Sequence, residues 1–178
     1  MAIIAGKAGY GLIIAWLSLS LSGCGLTQKV ADGTVSATKA LFYRQVKTLH
    51  LDIRAREAIN STAAGIPLSV VVRVYQLKER RHFDSADYQE LFTGDREILA
   101  GDIIAQKDVW LQPGGSVTVD MPMDDAAKFI GVAAMFLEPD QKKNTWRVVL
   151  SRDQLEPDTP RLIEVSGNIL TLLPLKDK

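Results

Sequence analysis

Cysteine is almost absent from this 178-residue sequence; Cys24 is the only one. With a single thiol no disulfide can form within the chain, so the fold must be held by burial and backbone pairing. Histidine is nearly as scarce. His50 falls on the polar side of an alternating run, and His82 sits beside Arg80 and Arg81 in a solvated turn. Neither has a carboxylate or a second histidine at ligand spacing, so no metal site is expected. A charge excess is missing too, with 21 basic residues against 21 acidic ones. Without a basic surplus to neutralise phosphates, nucleic-acid binding has no support. Long apolar runs are also lacking. The longest, Tyr10 to Leu21, is about a dozen residues, against the roughly twenty that a membrane-spanning helix needs. No Gly-x-Ser-x-Gly elbow, phosphate-cradling glycine loop, His-Glu-x-x-His pattern or internal repeat occurs.

What is present begins with that apolar run. It follows one positive charge, Lys7, is broken by Gly11 and dotted with Ser18 and Ser20, and closes on Leu21-Ser22-Gly23-Cys24. A charged start, a short hydrophobic centre and small residues at the exit are the parts of a cleaved export signal. The last four residues resemble the bacterial lipobox. That resemblance implies a cut before Cys24, an S-diacylglycerol on its thiol and an acyl group on its new amino terminus. Gly25, where an aspartate would favour inner-membrane retention, implies transport to the outer membrane. Stable anchoring takes two lipid signals, and three acyl chains exceed that. No other cofactor is expected. Three segments follow: a leader over 1–23, a lipidated cysteine and polar tether over 24–45, and one domain over 46–178. The far end of the tether, Val35 to Tyr43, can form a short helix.

From Lys47 the period is two. Leu49, Leu51 and Ile53 alternate with polar partners, the mark of a strand with one wet face. Leu68–Leu77 is rich in β-branched residues and reads as a more central strand. Further strands are expected over Ile103–Leu111, Ser116–Met121, Phe129–Leu137, Thr145–Ser151, Arg161–Val165 and Ile169–Leu173. Turn signals separate them at Pro113-Gly114-Gly115, Lys142-Lys143-Asn144 and Ser166-Gly167-Asn168. One stretch breaks the rhythm. Asp84 or Ser85 can cap a helix through Tyr88, Leu91 and Phe92, with Phe83 stapled onto Tyr88. A further turn over Asp95–Ala100 ends at Gly101. About eight strands with this helical insertion between the second and third predict an all-β, two-sheet sandwich, a small closed barrel being the alternative.

The connection between the first two strands, Arg56 to Pro67, is long where hairpins usually take about two to five residues. Its contents are small and partly apolar: Glu57, Ala58, Ile59, Asn60, Ser61, Thr62, Ala63, Ala64, Gly65 and Ile66. Ile59 and Ile66 need either to pack back or to meet a partner. The loop reads as a binding element or as a plain crossover between sheets. Asp124-Asp125 and the Glu138/Asp140 pair could serve a lipid-anchored hydrolase, although solvated loop acids are the simpler reading.

The run Pro67-Leu68-Ser69-Val70-Val71-Val72-Arg73-Val74-Tyr75-Gln76-Leu77 resembles the (P)-x-V-V-V-R-V-Y-Q-L segment of the TssJ family, outer-membrane lipoproteins of the type VI secretion system, some called SciN. Phe83, Ala86-Asp87-Tyr88, Leu91, Asp95, Leu99 and Asp102 follow in that family's order. So do Pro113-Gly114, Ile130 to Phe136 and Trp146-Arg147. The resemblance implies a transthyretin-like sandwich of two four-stranded sheets with no catalytic role. It implies a partner, the periplasmic C-terminal domain of TssM, itself held in the inner membrane with TssL. It also implies that the Glu57–Ile66 stretch of the first loop makes the contact. Many members carry Asn-Pro early in this loop, whereas here Asn60 precedes Ser61. A pilotin-like lipoprotein of another outer-membrane assembly is a further alternative.

Overall fold

The computed structural model describes residues 46–175. Cys24, the leader, the tether and the short helix expected over Val35–Tyr43 lie outside the described residues. Eight strands run in chain order: β1 (Thr48–Ile59), β2 (Val70–Leu77), β3 (Ile103–Leu111), β4 (Ser116–Pro122), β5 (Phe129–Ala134), β6 (Arg147–Ser151), β7 (Arg161–Gly167) and β8 (Ile169–Leu172). They make two sheets of four, β4-β1-β7-β8 and β3-β2-β5-β6, so the fold is a sandwich and not a closed barrel. All pairings are antiparallel except β1 with β7, which is parallel.

Alternation decides which side chains meet between the sheets. Leu49, Leu51 and Ile53 from β1 and Val70, Val72 and Val74 from β2 are all buried. Gln76 follows them onto the same inner face and is fully buried. Such a polar group is tolerated only when bonded. Its Nε2 donates to the Pro122 carbonyl at 2.8 Å, and its Oε1 accepts from the Asp124 amide at 3.0 Å. One side chain of the second sheet is thereby stitched to the end of β4 in the first.

The helical insertion covers part of the outer face of the second sheet, and here the sequence reading needs correction. Two helices form, α1 (Arg81–Ser85) and α2 (Tyr88–Ile98), so Asp84 and Ser85 lie inside the first and cap nothing. The chain breaks at Ala86, whose backbone is extended. Asp87 is the cap of α2: its carboxylate accepts from the Gln89 amide at 2.8 Å, and Glu90 accepts from the Asp87 amide. Phe83 is not stapled to Tyr88 but turns inward, with its ring 5.6 Å from that of Tyr75. The Tyr88 ring stands edge-on to Trp146 at 5.0 Å.

The outward residues of β2 fasten the helices. Arg73 donates to both carboxylate oxygens of Asp108 on β3, and its Nη1 donates to Asp95 of α2 at 3.0 Å. The Tyr75 hydroxyl donates to the same Asp95 oxygen at 3.1 Å. The bond to Asp108 raises the Arg73 guanidinium's pKa, and burial raises that of Tyr75. Arg147 on β6 donates to the carbonyls of Phe83 and Ala86, the orphan acceptors at the end of α1.

Candidate functional site

β1 spans twelve residues. Two of them are taken up by the register shift between Ala55 and Ile59, so at ~3.3 Å per residue the strand runs roughly 30 Å and its two ends lie at opposite ends of the sandwich. At the near end the chain enters through Val46, which is buried. The Val46 carbonyl accepts from Arg152 Nη2 at 3.0 Å, and the Lys47 carbonyl accepts from the Met123 amide at 2.8 Å. Arg152 is 2% exposed and also donates to the carbonyls of Asp124 at 2.7 Å and Ala127 at 3.0 Å. The entry point of the domain is therefore clamped by a buried guanidinium.

The far end holds the first connection, and its limits differ from those expected. β1 continues through Glu57, Ala58 and Ile59, so the loop is Asn60–Ser69 rather than Arg56–Pro67. A shift of register against β7 after Ala55 carries the strand on to pair Ile59 with Gly167, and Ile59 is buried in the core. Glu57 and Ala58 are exposed on the strand. Because β1 and β2 belong to different sheets, the loop is an inter-sheet crossover, which accounts for much of its length.

Asn60 organises this end. It has φ of 47°, a left-handed conformation that asparagine tolerates better than most residues, and it is 5% exposed. Its amide Nδ2 donates to the Ser69 carbonyl at 3.0 Å, closing the base of the loop. Its Oδ1 accepts from the Leu137 amide at 2.6 Å, and its own amide donates to the Gly167 carbonyl at 3.0 Å. One residue thus joins three connections: β1–β2, β5–β6 and β7–β8. Without a proline after Asn60, the loop is fixed by side-chain bonds instead. Its tip is a small closed turn. The Thr62 amide donates to the Ile66 carbonyl, the Gly65 amide to the Thr62 carbonyl, and the Ile66 amide to Thr62 Oγ1. Gly65, at φ of 77°, permits that turn.

Of the expected contact residues, Ile59 and Asn60 are buried, Ser61 and Thr62 half-buried, and Ala63, Ala64, Gly65 and Ile66 exposed. Ile66 is 59% exposed. The structure brings to the same end several apolar side chains that the sequence reading missed. Among the described residues the large exposed apolar side chains are Ile66, Leu68, Trp110, Met135, Leu137, Ile169 and Leu175. All but Leu175 lie at the far end, as their pairings with Val71, Asn60 and Ser166 require. That concentration of exposed apolar side chains makes this end the candidate interaction surface. Alternation could have found Trp110, since buried Val109 and Leu111 flank it.

The candidate acids are not brought together. Asp124 and Asp125 lie at the near end, where Asp124 accepts from the Ala126 amide at 2.8 Å. Glu138 and Asp140 lie in the β5–β6 connection; Asp140 accepts from the amides of Lys142 and Lys143 at 3.1 and 3.0 Å. Both arrangements are turn-forming Asx contacts. His50 pairs with Asp120 and His82 with Asp102, each at 2.6 Å. Among the described residues no group of three or more His, Cys, Asp or Glu side chains could hold a metal ion.

The model of the type VI secretion lipoproteins, the family that includes VasD, EvfM and TssJ, matches residues 47–168. The chain belongs to this family. No curated protein matches it. Among solved structures, it is similar to a chain of a type VI membrane complex at 88% identity and a TM-score of 0.70, covering 72% of this chain and 99% of that one. It is likewise similar to a chain in the structure of the type VI secretion protein TssM C-terminal domain from EAEC. There the identity is 83% and the TM-score 0.69, with 73% of this chain and 100% of the other covered. The type VI secretion lipoprotein TssJ1 from Pseudomonas aeruginosa has 24% identity and a TM-score of 0.60 over 73% of this chain and 98% of its own, a likeness of fold. The family is one of type VI secretion lipoproteins.

Proposed function

We propose that this protein is a non-catalytic adaptor, anchored to the outer membrane by lipids on Cys24, that binds the periplasmic C-terminal domain of TssM through the far end of its sandwich. The observation that carries this reading is the placement of the two ends of β1. Residue 46, onto which the tether over 24–45 leads, enters at one end. The Asn60–Ser69 loop and its apolar neighbours present themselves at the other, roughly 30 Å away. An adaptor that joins two membranes needs its attachment points apart and its body rigid. The chains 83% and 88% identical come from structures of the TssM C-terminal domain and of a type VI membrane complex, which favours the same partner here. A hydrolase gains no support, because the candidate acids form turns at opposite ends of the domain.

The test is capture of the lipidated full-length chain from detergent-solubilised membranes, with TssM followed by immunoblot. Loop variants must leave Ile59 and Asn60 intact, since both are built into the body. Ile66→Asp, or replacement of 61–66 by Gly and Ser, is expected to abolish capture without changing the melting temperature. Undiminished capture by a folded loop variant would move the site elsewhere. Capture of a different outer-membrane component in place of TssM would favour the pilotin-like reading.

A further inference from the structure

The helices α1 and α2 cover only part of the outer face of the second sheet. Beyond them a cross-strand row stays open. Val71 of β2 stands in register with Trp110 of β3, and on its other side the Met135 amide donates to the Val71 carbonyl at 2.8 Å. Trp110 is 73% exposed, more than any other large apolar side chain among the described residues, and Met135 is 38% exposed. A bare indole on an edge strand is costly in water unless something covers it, and tryptophan is the residue type most enriched at interface hot spots.

We propose that the row Trp110–Val71–Met135 is a second half of the docking surface for the TssM C-terminal domain, with Trp110 as its anchor; this rests on the function proposed above. Continuity with the loop identifies the occupant. Met135 lies two residues before Leu137, whose amide is held by Asn60 Oδ1 at 2.6 Å, and Val71 lies two residues after Ser69, whose carbonyl is held by Asn60 Nδ2. Loop and row are therefore fixed to each other by one side chain. The next outward pair along the same strands, Arg73 and Asp108, is bonded at 2.6 and 2.8 Å. Arg73 is also bonded to Asp95, so that rim carries no surplus positive charge and the row suits an apolar protein patch rather than an anion. A partner that grips the loop and lies across the second sheet meets Trp110 next.

Tryptophan supplies its own readout. The sequence has three, of which Trp16 is in the leader and Trp146 is 1% exposed. In the processed chain the quenchable indole is that of Trp110. The experiment titrates the lipidated full chain, in detergent micelles, with purified TssM C-terminal domain. It follows acrylamide quenching against a Trp110→Phe chain as blank and affinity by biolayer interferometry. The expected result is protection of the Trp110 indole in the complex. Trp110→Ala should weaken affinity by about thirtyfold or more, the size of a hot-spot loss, at an unchanged melting temperature. If Trp110→Ala binds like the wild type and the wild-type Trp110 indole stays quenchable in the complex while Ile66→Asp fails to bind, docking is by the loop alone. The row is then wrong and the function stands. If the wild-type chain does not bind the TssM domain, both readings fall. If sedimentation shows self-association that Trp110→Ala abolishes, with TssM affinity unchanged, the row is a contact between copies and the proposal is overturned.

Discussion

Replacing Asn60 tests most directly how the far end is held together. Asn60→Ala removes the donor to the Ser69 carbonyl and the acceptor for the Leu137 amide. Each backbone group left without a partner in a buried setting costs about 1–3 kcal/mol. Alanine must also hold the left-handed backbone at φ of 47°, which adds about 1 kcal/mol. The sum is about 3–7 kcal/mol, reduced to about 2–4 if water reaches one of the two groups. For a domain of this size each kcal/mol lowers the melting temperature by about 3–5 °C, so a fall of about 10 °C is expected. Asn60→Gly loses the same two bonds without the backbone strain and should be at least as stable as Asn60→Ala, although glycine usually costs stability. Asn60→Asp keeps the acceptor for Leu137 but sets a carboxylate against the Ser69 carbonyl, and should fall between alanine and the wild type. Thermal unfolding by circular dichroism gives the ranking, and affinity for the TssM domain gives the consequence for docking. A melting temperature for Asn60→Ala within about 2 °C of the wild type would refute the view that this side chain fastens the loops together.

Three further outcomes are expected. Gly131→Ala on β5 would set a Cβ 2.8 and 2.9 Å from ring atoms of buried Phe83, an overpacking cost of about 1–3 kcal/mol. In urea unfolding, Phe83→Leu in the same chain should recover part of that loss, and purely additive losses would contradict the close approach. Burial pushes the Tyr88 hydroxyl up to about 12 from its ordinary 10. The folded state then keeps a proton that the unfolded state releases, so this contribution is complete below pH 10 and is lost as pH rises through 12. Tyr88→Phe should flatten the alkaline fall in stability by at most about 2 kcal/mol after screening by solvent. At neutral pH it should cost about 1 kcal/mol for the bond to the Phe136 carbonyl. An alkaline slope unchanged from the wild type would show that Tyr88 is not the group responsible. Cys24→Ser should leave a chain that no longer fractionates with the outer membrane, and normal fractionation would sink the lipobox reading.

Much of the fold was legible in the residues. The β3 strand begins and ends where its alternation does, at Ile103 and Leu111, and the β2 run of branched residues is a central strand as its composition implied. The first loop was misplaced because Glu57 and Ala58 break the apolar rhythm. The β1–β7 register shift that carries the strand past them is a property of two distant segments. The helix cap was misassigned because Asp84, Ser85 and Asp87 are all competent caps. Arg147 on β6 decides among them by taking the carbonyls of Phe83 and Ala86 and so ending α1 there. The candidate site was half legible. Ile66 is visible as an apolar residue in a polar setting and Trp110 by its alternation with Val109 and Leu111, but Met135 and Leu137 read as ordinary members of apolar runs.

The sequence by itself determined the eight-strand sandwich and the family, and it carries the Leu21-Ser22-Gly23-Cys24 pattern on which the proposed lipid anchor rests. Each of those is a local pattern of charge, period or motif, and local patterns survive in one dimension. Only the tertiary structure decided that Val46 and Asn60 occupy opposite ends of the domain, that Asn60 ties three connections into one unit, and that a bare Trp110 lies beside them. Those facts depend on sheet order and on pairings between residues far apart in the chain, which no run of neighbouring residues encodes.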